Sequence, residues 1–394
     1  MGISQRGRQV QESPLRKLIG LAKQAEASGK KVYYLNIGEP DDFPPTDIFY
    51  TFLNIERQKI KYAPSPGNQR LLEAWQKFYH DQGFNLADSE IIITSGASEA
   101  LLFAFAAVAD PGDEIIVFEP FYPNYTSLAT LLGIKLRAIT LIRREGKYYL
   151  PRREVIEKQI NHRTKAIVFD NPSNPSGHLY TESELRLLSE IAIRKNLMLI
   201  SDEVYRELVY EGKPASLLEN AEIKDNAIVV DSVSKRFSLC GLRMGCLVSR
   251  NPEVLSAVNR FAQGRLSAPL LDQQAVIPVL LNSQTYIKQL TETFTGRRQV
   301  LMNSLSNISG VEISIPQGSF YNFVRIKKES EEFARWLLTD FSYNNQTVVI
   351  APGTGFYLKP ESGQYDFRIA FVLDIHELEP ALEVLKQALL QYNK

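Results

Sequence analysis

Between residues 90 and 250 the chain repeats one pattern: a short apolar, β-branched run, a polar turn, then a helical stretch. The runs are "EIIITS", "DEIIVFEP", "KLRAIT", "TKAIVFDNP", "LMLISDE", "AIVVDSVS" and "GCLVS". Most are nearly continuous in apolar character rather than alternating, as strands covered on both faces require. Stretches such as "ASEALLFAFAAVA" and "TESELRLLSEIAIRKN" supply helices between several of them. The pattern predicts an α/β fold with a large, mainly parallel seven-stranded sheet covered by helices.

The flanks read differently. Residues 14–28, "PLRKLIGLAKQAEAS", predict a helix leading into "VYYLNIGEPD". From about 286 come a long helix, the strand-like "GSFYNFVRI", a helix near 330–341, strands "TVVIAPG" and "FRIAFVL", and a terminal helix from His376. With 394 residues the chain is too long for one small core. The predicted division is a large domain over 46–285 and a smaller α+β domain over 286–394, which the segment 1–45 joins.

Several function classes are disfavoured. Lys plus Arg equals Asp plus Glu at 45 each, so no net field draws nucleic acid or an anionic membrane. No apolar run approaches the roughly 18 residues of a membrane span, and the N-terminus lacks the apolar core of a signal peptide. Only Cys240 and Cys246 are present, which argues against a disulfide framework. The expectation is a cytoplasmic protein without nucleic-acid or membrane partners. His80, His162, His178 and His376 are scattered, so no metal site is expected. "RRE" at 143–145 reads as a solvated turn.

In open α/β sheets ligands bind beyond the carboxyl ends of the strands. Three of the buried runs end there in polar clusters: "AIVFD" in Asn171 and Asn174, "LMLIS" in Asp202, Glu203 and Tyr205, "AIVVD" in Ser232, Ser234 and Lys235. The turn in "TSGASEALL" opens a helix, whose free N–H groups suit a phosphate. A phosphate site, a carboxylate, a tyrosine and a lysine in one crevice suggest pyridoxal phosphate. Its aldehyde needs an amine (Lys235), and its ring nitrogen needs an acidic partner (Asp202). Tyr205 and Asn174 could bond the ring's phenolic oxygen, and Arg243 could fork onto the phosphate.

With "NIGEPD", "YAPSPGNQRLLEAW", "SGASEAL", "EPFYPNY", "NPSNPSG", "SDEVY", "SVSKRFSLCGLRMG", "PQGSFYNF" and "FRIAFVL" in this order, the chain resembles the class I and II aminotransferases of the fold-type I pyridoxal-phosphate enzymes, the aspartate aminotransferase superfamily. The resemblance spans nearly the whole length. It implies that Lys235 is the Schiff-base lysine and Asp202 the ring-nitrogen partner, with Tyr205 and Asn174 flanking the ring oxygen. Gly96, Ala97, Ser98, Ser232 and Arg243 would surround the phosphate, and Tyr122, rather than Phe121, would stack on the ring. Tyr62 resembles the tyrosine that reaches the phosphate of a neighbouring subunit, implying a homodimer with shared sites. Arg368 would clamp the substrate α-carboxylate, with Asn174 and Gly38 beside the substrate.

The implied reaction is a ping-pong transfer of an amino group from an L-amino acid to a 2-oxo acid, with Lys235 as base and acid. Aspartate and 2-oxoglutarate are the favoured pair, within a broad specificity. Ser98 stands where aspartate-specific relatives of one branch carry a lysine, and Arg265 is the alternative partner for a second carboxylate. A pyridoxal-phosphate β-C–S lyase would share the same constellation. "SVSK" also matches the Ser-x-x-Lys of penicillin-binding hydrolases, whose companion motifs are missing.

Overall fold

All seven apolar runs become strands of a single sheet in the computed structural model, which describes residues 2–53 and 59–393. They are Ile91–Thr94, Glu114–Glu119, Lys135–Thr140, Thr164–Asp170, Met198–Asp202, Ala227–Ser232 and Gly245–Ser249. Their spatial order is 91–94, 245–249, 227–232, 198–202, 164–170, 114–119, 135–140. Only the 245–249 strand runs antiparallel to its neighbours. The continuous apolar character follows from the layers. Ile116, Ile167, Leu199 and Val229 enter the core on one face, while Val117, Val168, Ile200 and Val230 enter the core on the other. Strand side chains alternate, so a strand covered on both sides has no polar face to show.

A second sheet orders the strands Glu312–Ile313, Tyr321–Arg325, Asp366–Ala370 and Ala351–Pro352, all antiparallel. The strand Lys31–Tyr34 pairs in parallel with Gln346–Val349. Its continuation is tied to the second sheet, since the Ala370 amide donates to the Leu35 carbonyl at 2.7 Å. Helices Ser283–Leu305, Ser330–Thr339 and Ile375–Tyr392 pack around a core that includes Leu35, Phe320, Val348 and Ile369. Among the described residues, no helix is long and apolar enough to cross a membrane.

Two local expectations need correction. The helix expected over 14–28 occupies Ile19–Ala27; residues 14–18 form turns. The Leu15 carbonyl is taken by the Asn36 side-chain amide at 2.6 Å, and Pro14 packs against Gly355, so tertiary contacts hold this stretch out of the helix. Arg143 and Arg144 belong to a hairpin strand, Ile142–Arg144, paired with Lys147–Tyr149. Only Glu145 and Gly146, both at positive φ, make the turn.

Candidate active site

Sheet register gathers the polar strand ends. Asp170 lies opposite Asp202, and Gly245 lies opposite both Thr94 and Ser232. Beyond this edge opens a cleft of about 470 Å³, lined by Lys235, Asp202, Tyr205, Asn174, Tyr122 and Arg243. Gly38, Ala97, Ser98 and Ser232 also reach it. Residues from seven separate segments therefore converge here.

Lys235 sits on the short helix Val233–Arg236, whose first turn is capped by the Ser232 hydroxyl accepting from the Ser234 amide at 3.1 Å. The same hydroxyl donates to the Met244 carbonyl at 2.8 Å. It holds the lysine-bearing turn against the segment that carries Arg243. The Lys235 amine donates to the Gly38 carbonyl at 2.7 Å and lies 3.6 Å from the Cys240 sulfur. Gly38 has to lack a side chain, because a Cβ there would lie 1.9 Å from the Tyr321 hydroxyl.

Asp202 is buried at the end of its strand, and the Val204 amide approaches one carboxylate oxygen at 3.4 Å. Burial pushes its carboxyl well above the usual range, and the Asp170 charge adds to this. Among the described residues no cation pairs with it, an arrangement that is costly unless a positive group arrives. Asp170 is itself raised by burial to about 7, opposed by the hydrogen bond it accepts from the Asn174 amide.

The Tyr205 hydroxyl is 2.9 Å from that of Tyr321. Tyr122 lines the cleft, with its hydroxyl pushed up to about 12 by burial, whereas Phe121 points into the core and stacks on Tyr125. Arg368 lies behind this wall at 0 % exposure, donating to Asn174 Oδ1 at 2.8 Å and to the Asn36 carbonyl at 2.5 Å. Its guanidinium stands 4.2 Å from the Tyr321 ring centroid, and its Nε has no partner.

One end of the cleft is built largely from backbone. Gly96, at φ +77°, begins the twelve-residue helix Ala97–Val108 with no side-chain cap, so the first N–H groups stay open. A Cβ on Gly96 would lie 2.6 Å from Arg243 Nη2, and one on Gly245 would lie 2.9 Å from the Ala97 nitrogen. Arg243 is exposed, and among the described residues its guanidinium bonds only the Cys240 carbonyl, leaving donors open. Open helix N–H groups beside a guanidinium form an anion cradle. The uncompensated Asp202 and this cradle fit the two ends of pyridoxal phosphate, and Lys235 opens into the cleft between them.

Two residues singled out in the sequence, Tyr62 and Arg265, do not line this cleft. Tyr62 is 79 % exposed and does not line the cleft of its own chain. Arg265 is held by Glu99 at 2.9 Å and by the carbonyls of Ser65 and Ile93 at 3.0 and 3.1 Å. Its Nη1 and Nη2 are committed inside the chain, and it does not line this cleft. The hydroxyl of Ser232 is likewise occupied by its own turn. Sequence reasoning assigned no role to Tyr321, Asn36 or Arg16. Tyr321 lies within "PQGSFYNF" and Asn36 opens "NIGEPD", so both were visible there; Arg16 carries no local signal.

The Aminotransferase class I and II family model matches residues 30–385. The chain is 30 % identical to an aspartate aminotransferase of Sulfolobus acidocaldarius, covering 91 % of this chain and 90 % of that protein. It is 31 % identical to the (5-formylfuran-3-yl)methyl phosphate transaminase of Methanocaldococcus jannaschii, over 94 % and 95 %. Among solved structures, an alanine aminotransferase from Pyrococcus furiosus superposes with a TM-score of 0.90 at 31 % identity, covering 99 % of this chain and 100 % of that one. With this fold and this cleft, the chain belongs to the class I and II aminotransferases and is a pyridoxal-phosphate-dependent enzyme of that family.

Proposed function

We propose that the protein transfers the amino group of a dicarboxylic L-amino acid to a 2-oxo acid, with aspartate and 2-oxoglutarate as the favoured pair. The observation that carries the amino-acid part is Arg368: a fully buried guanidinium with an unpartnered Nε, held in place by Asn36 and Asn174 beside the cleft that Lys235 enters. It is a ready clamp for an α-carboxylate. Aspartate aminotransferases among the relatives support the substrate choice.

Pyridoxal phosphate supplies an electrophilic carbon and a ring that accepts the electron pair left when the substrate's Cα–H bond breaks. Asp202 would accept a hydrogen bond from the ring nitrogen and keep that nitrogen protonated. Gly96, Ala97, Ser98 and Arg243 would hold the phosphate, with Ser232 bracing the turn and Tyr122 beside the ring. Tyr205 and Asn174 would serve the ring oxygen. Lys235 Nζ would take the substrate's Cα proton and return it as an acid. Arg368, Asn174 and Gly38 set the substrate so that its Cα–H faces that amine. We also infer a homodimer in which Tyr62 serves the partner's site. The divisions 1–45, 46–285 and 286–394 act as joining segment, cofactor domain and small domain. A cytoplasmic setting fits two cysteines that are both unpaired. The lyase reading is disfavoured, because the relatives named above are transaminases.

Mixing holoenzyme with single amino acids and following the cofactor absorbance tests the reading. Aspartate and glutamate are expected to convert the cofactor to its amine form without releasing ammonia. Lys235→Ala is expected to slow that conversion by about 10²–10⁴-fold. Borohydride followed by peptide mapping should label Lys235. A label elsewhere, or pyruvate and ammonia formed without an acceptor, would overturn the assignment.

A further inference from the structure

Three basic side chains line the cleft among the described residues: Lys235, Arg243 and Arg16. The first two face the cofactor in the reading above. Arg16 is exposed at the cleft, and among the described residues its guanidinium makes no hydrogen bond or ion pair. Its neighbour Lys17, by contrast, is paired with Glu331.

The segment that carries Arg16 is fixed rather than loose. The Arg16 amide donates to the Ser13 carbonyl at 2.9 Å, and its own carbonyl accepts from Ile19 at 3.0 Å. Pro14 fills the space above Gly355, where a Cβ would come within 2.3 Å of it. Most tellingly, Asn36 ties this segment to the α-carboxylate clamp. Its side-chain amide donates to Leu15 O at 2.6 Å, while its carbonyl accepts from Arg368 Nη2 at 2.5 Å. Asn36 is itself fully buried. One residue thus sets the position of two guanidinium-bearing elements, one inside the wall and one at the open side. Arg265, the other cation considered for this task, is consumed by Glu99 and two carbonyls. Glu39 also lines the cleft, but it makes no ion pair with Arg16.

We propose that Arg16 determines specificity by binding the side-chain carboxylate of a dicarboxylic substrate whose α-carboxylate is held by Arg368. The inference rests on the amino-acid reading of the cleft and adds the residue that selects among amino acids. A guanidinium open to solvent can take such a carboxylate in forked geometry after displacing only water, whereas an apolar side chain would desolvate it without return. Selection then works through differential binding of substrates that share the same reacting atoms.

The test uses the cofactor-loaded protein, with the cofactor absorbance of each variant confirming an intact site. kcat/KM is measured for L-aspartate, L-glutamate and L-alanine in the wild type, Arg16→Gln and Arg16→Lys. Calorimetry measures the binding of succinate, which has two carboxylates and no amine. The aspartate-to-alanine ratio is expected to fall about 10- to 100-fold in Arg16→Gln, the worth of a hydrogen bond to a charged group. Succinate affinity should fall in parallel, and Arg16→Lys should recover part of both. An unchanged ratio and unchanged succinate affinity in Arg16→Gln, in a wild type that prefers dicarboxylates, would overturn the role of Arg16 and leave the proposed activity standing. A wild type that converts alanine as well as aspartate would overturn the dicarboxylate choice and the role of Arg16 together. Conversion by no amino acid would overturn the proposed reaction itself.

Discussion

Asp170 and Asp202 end neighbouring parallel strands in register, so two carboxyl groups are buried side by side at the floor of the cleft. Burial raises both above their ordinary values, Asp170 to about 7. The sign follows from linkage. A carboxyl whose folded value exceeds its unfolded one binds more protons in the folded chain, so stability falls as pH rises from about 4 through 7. The cofactor-free protein should therefore melt at lower temperature at pH 7.5 than at pH 5. Asp170→Asn, which keeps an acceptor for the Asn174 amide, should flatten that slope by a few degrees in scanning calorimetry; an unaltered slope would remove Asp170 from the account. Such residues were legible in sequence because they directly follow apolar runs, and parallel strands bring their ends together. Asn36 meets Leu15 and Arg368 through the pairing of 31–34 with 346–349 and the tie from Leu35 to Ala370. That contact joins segments over 300 residues apart, and no local spacing encodes it.

The elements around the cleft are bound beneath it by a buried ionic network. Arg236, the residue after Lys235, pairs with Asp231 at 2.6 Å and with Glu207 at 2.8 Å. Arg206 reaches Glu203 at 3.1 Å and Glu207 at 3.2 Å, and the Tyr79 hydroxyl donates to Asp231 at 2.8 Å. Glu203 follows Asp202, and Asp231 precedes Ser232. Asp202, Ser232 and Lys235 thus each have a chain neighbour anchored in this network, which couples two strand ends to the lysine helix. Three carboxylates against two guanidinium groups leave no positive charge to spare, so removing one arginine strands buried anions. Arg236→Ala is expected to lose about 3–5 kcal/mol in urea unfolding of the cofactor-free protein. A loss below about 1 kcal/mol would mean that the pair behaves like a surface bridge. This network was invisible in sequence, where no local pattern sets Arg236 apart from a solvated charge. The strands themselves were legible because burial on both faces erases alternation. Apolar periodicity alone carried the helix expected over 14–28 too far, since periodicity is blind to the contacts of Pro14 and Leu15.

At the scale of the whole molecule, the chain near Tyr62 leaves large apolar side chains to solvent. Phe43 is 92 % exposed, Ile60 66 % and Phe49 54 %, all within twenty residues of Tyr62. Exposed apolar surface of this kind favours association. A twofold pairing that covers these side chains would carry each Tyr62 hydroxyl toward the other chain's cleft. Light scattering should then report twice the mass of one chain. Mixing separates a shared site from two independent ones. Tyr62→Ala and Lys235→Ala each damage one contribution, to opposite sites if the tyrosine crosses over. In a hybrid dimer the Lys235 of the first variant and the Tyr62 of the second then complete one undamaged site. After subunit exchange at equal amounts, half the dimers are hybrids, and about a quarter of all sites should regain wild-type cofactor affinity in a spectroscopic titration. If Tyr62 acted within its own chain, or only packed the surface, no mixture could rebuild such a site, and the titration would be the plain sum of the two variants.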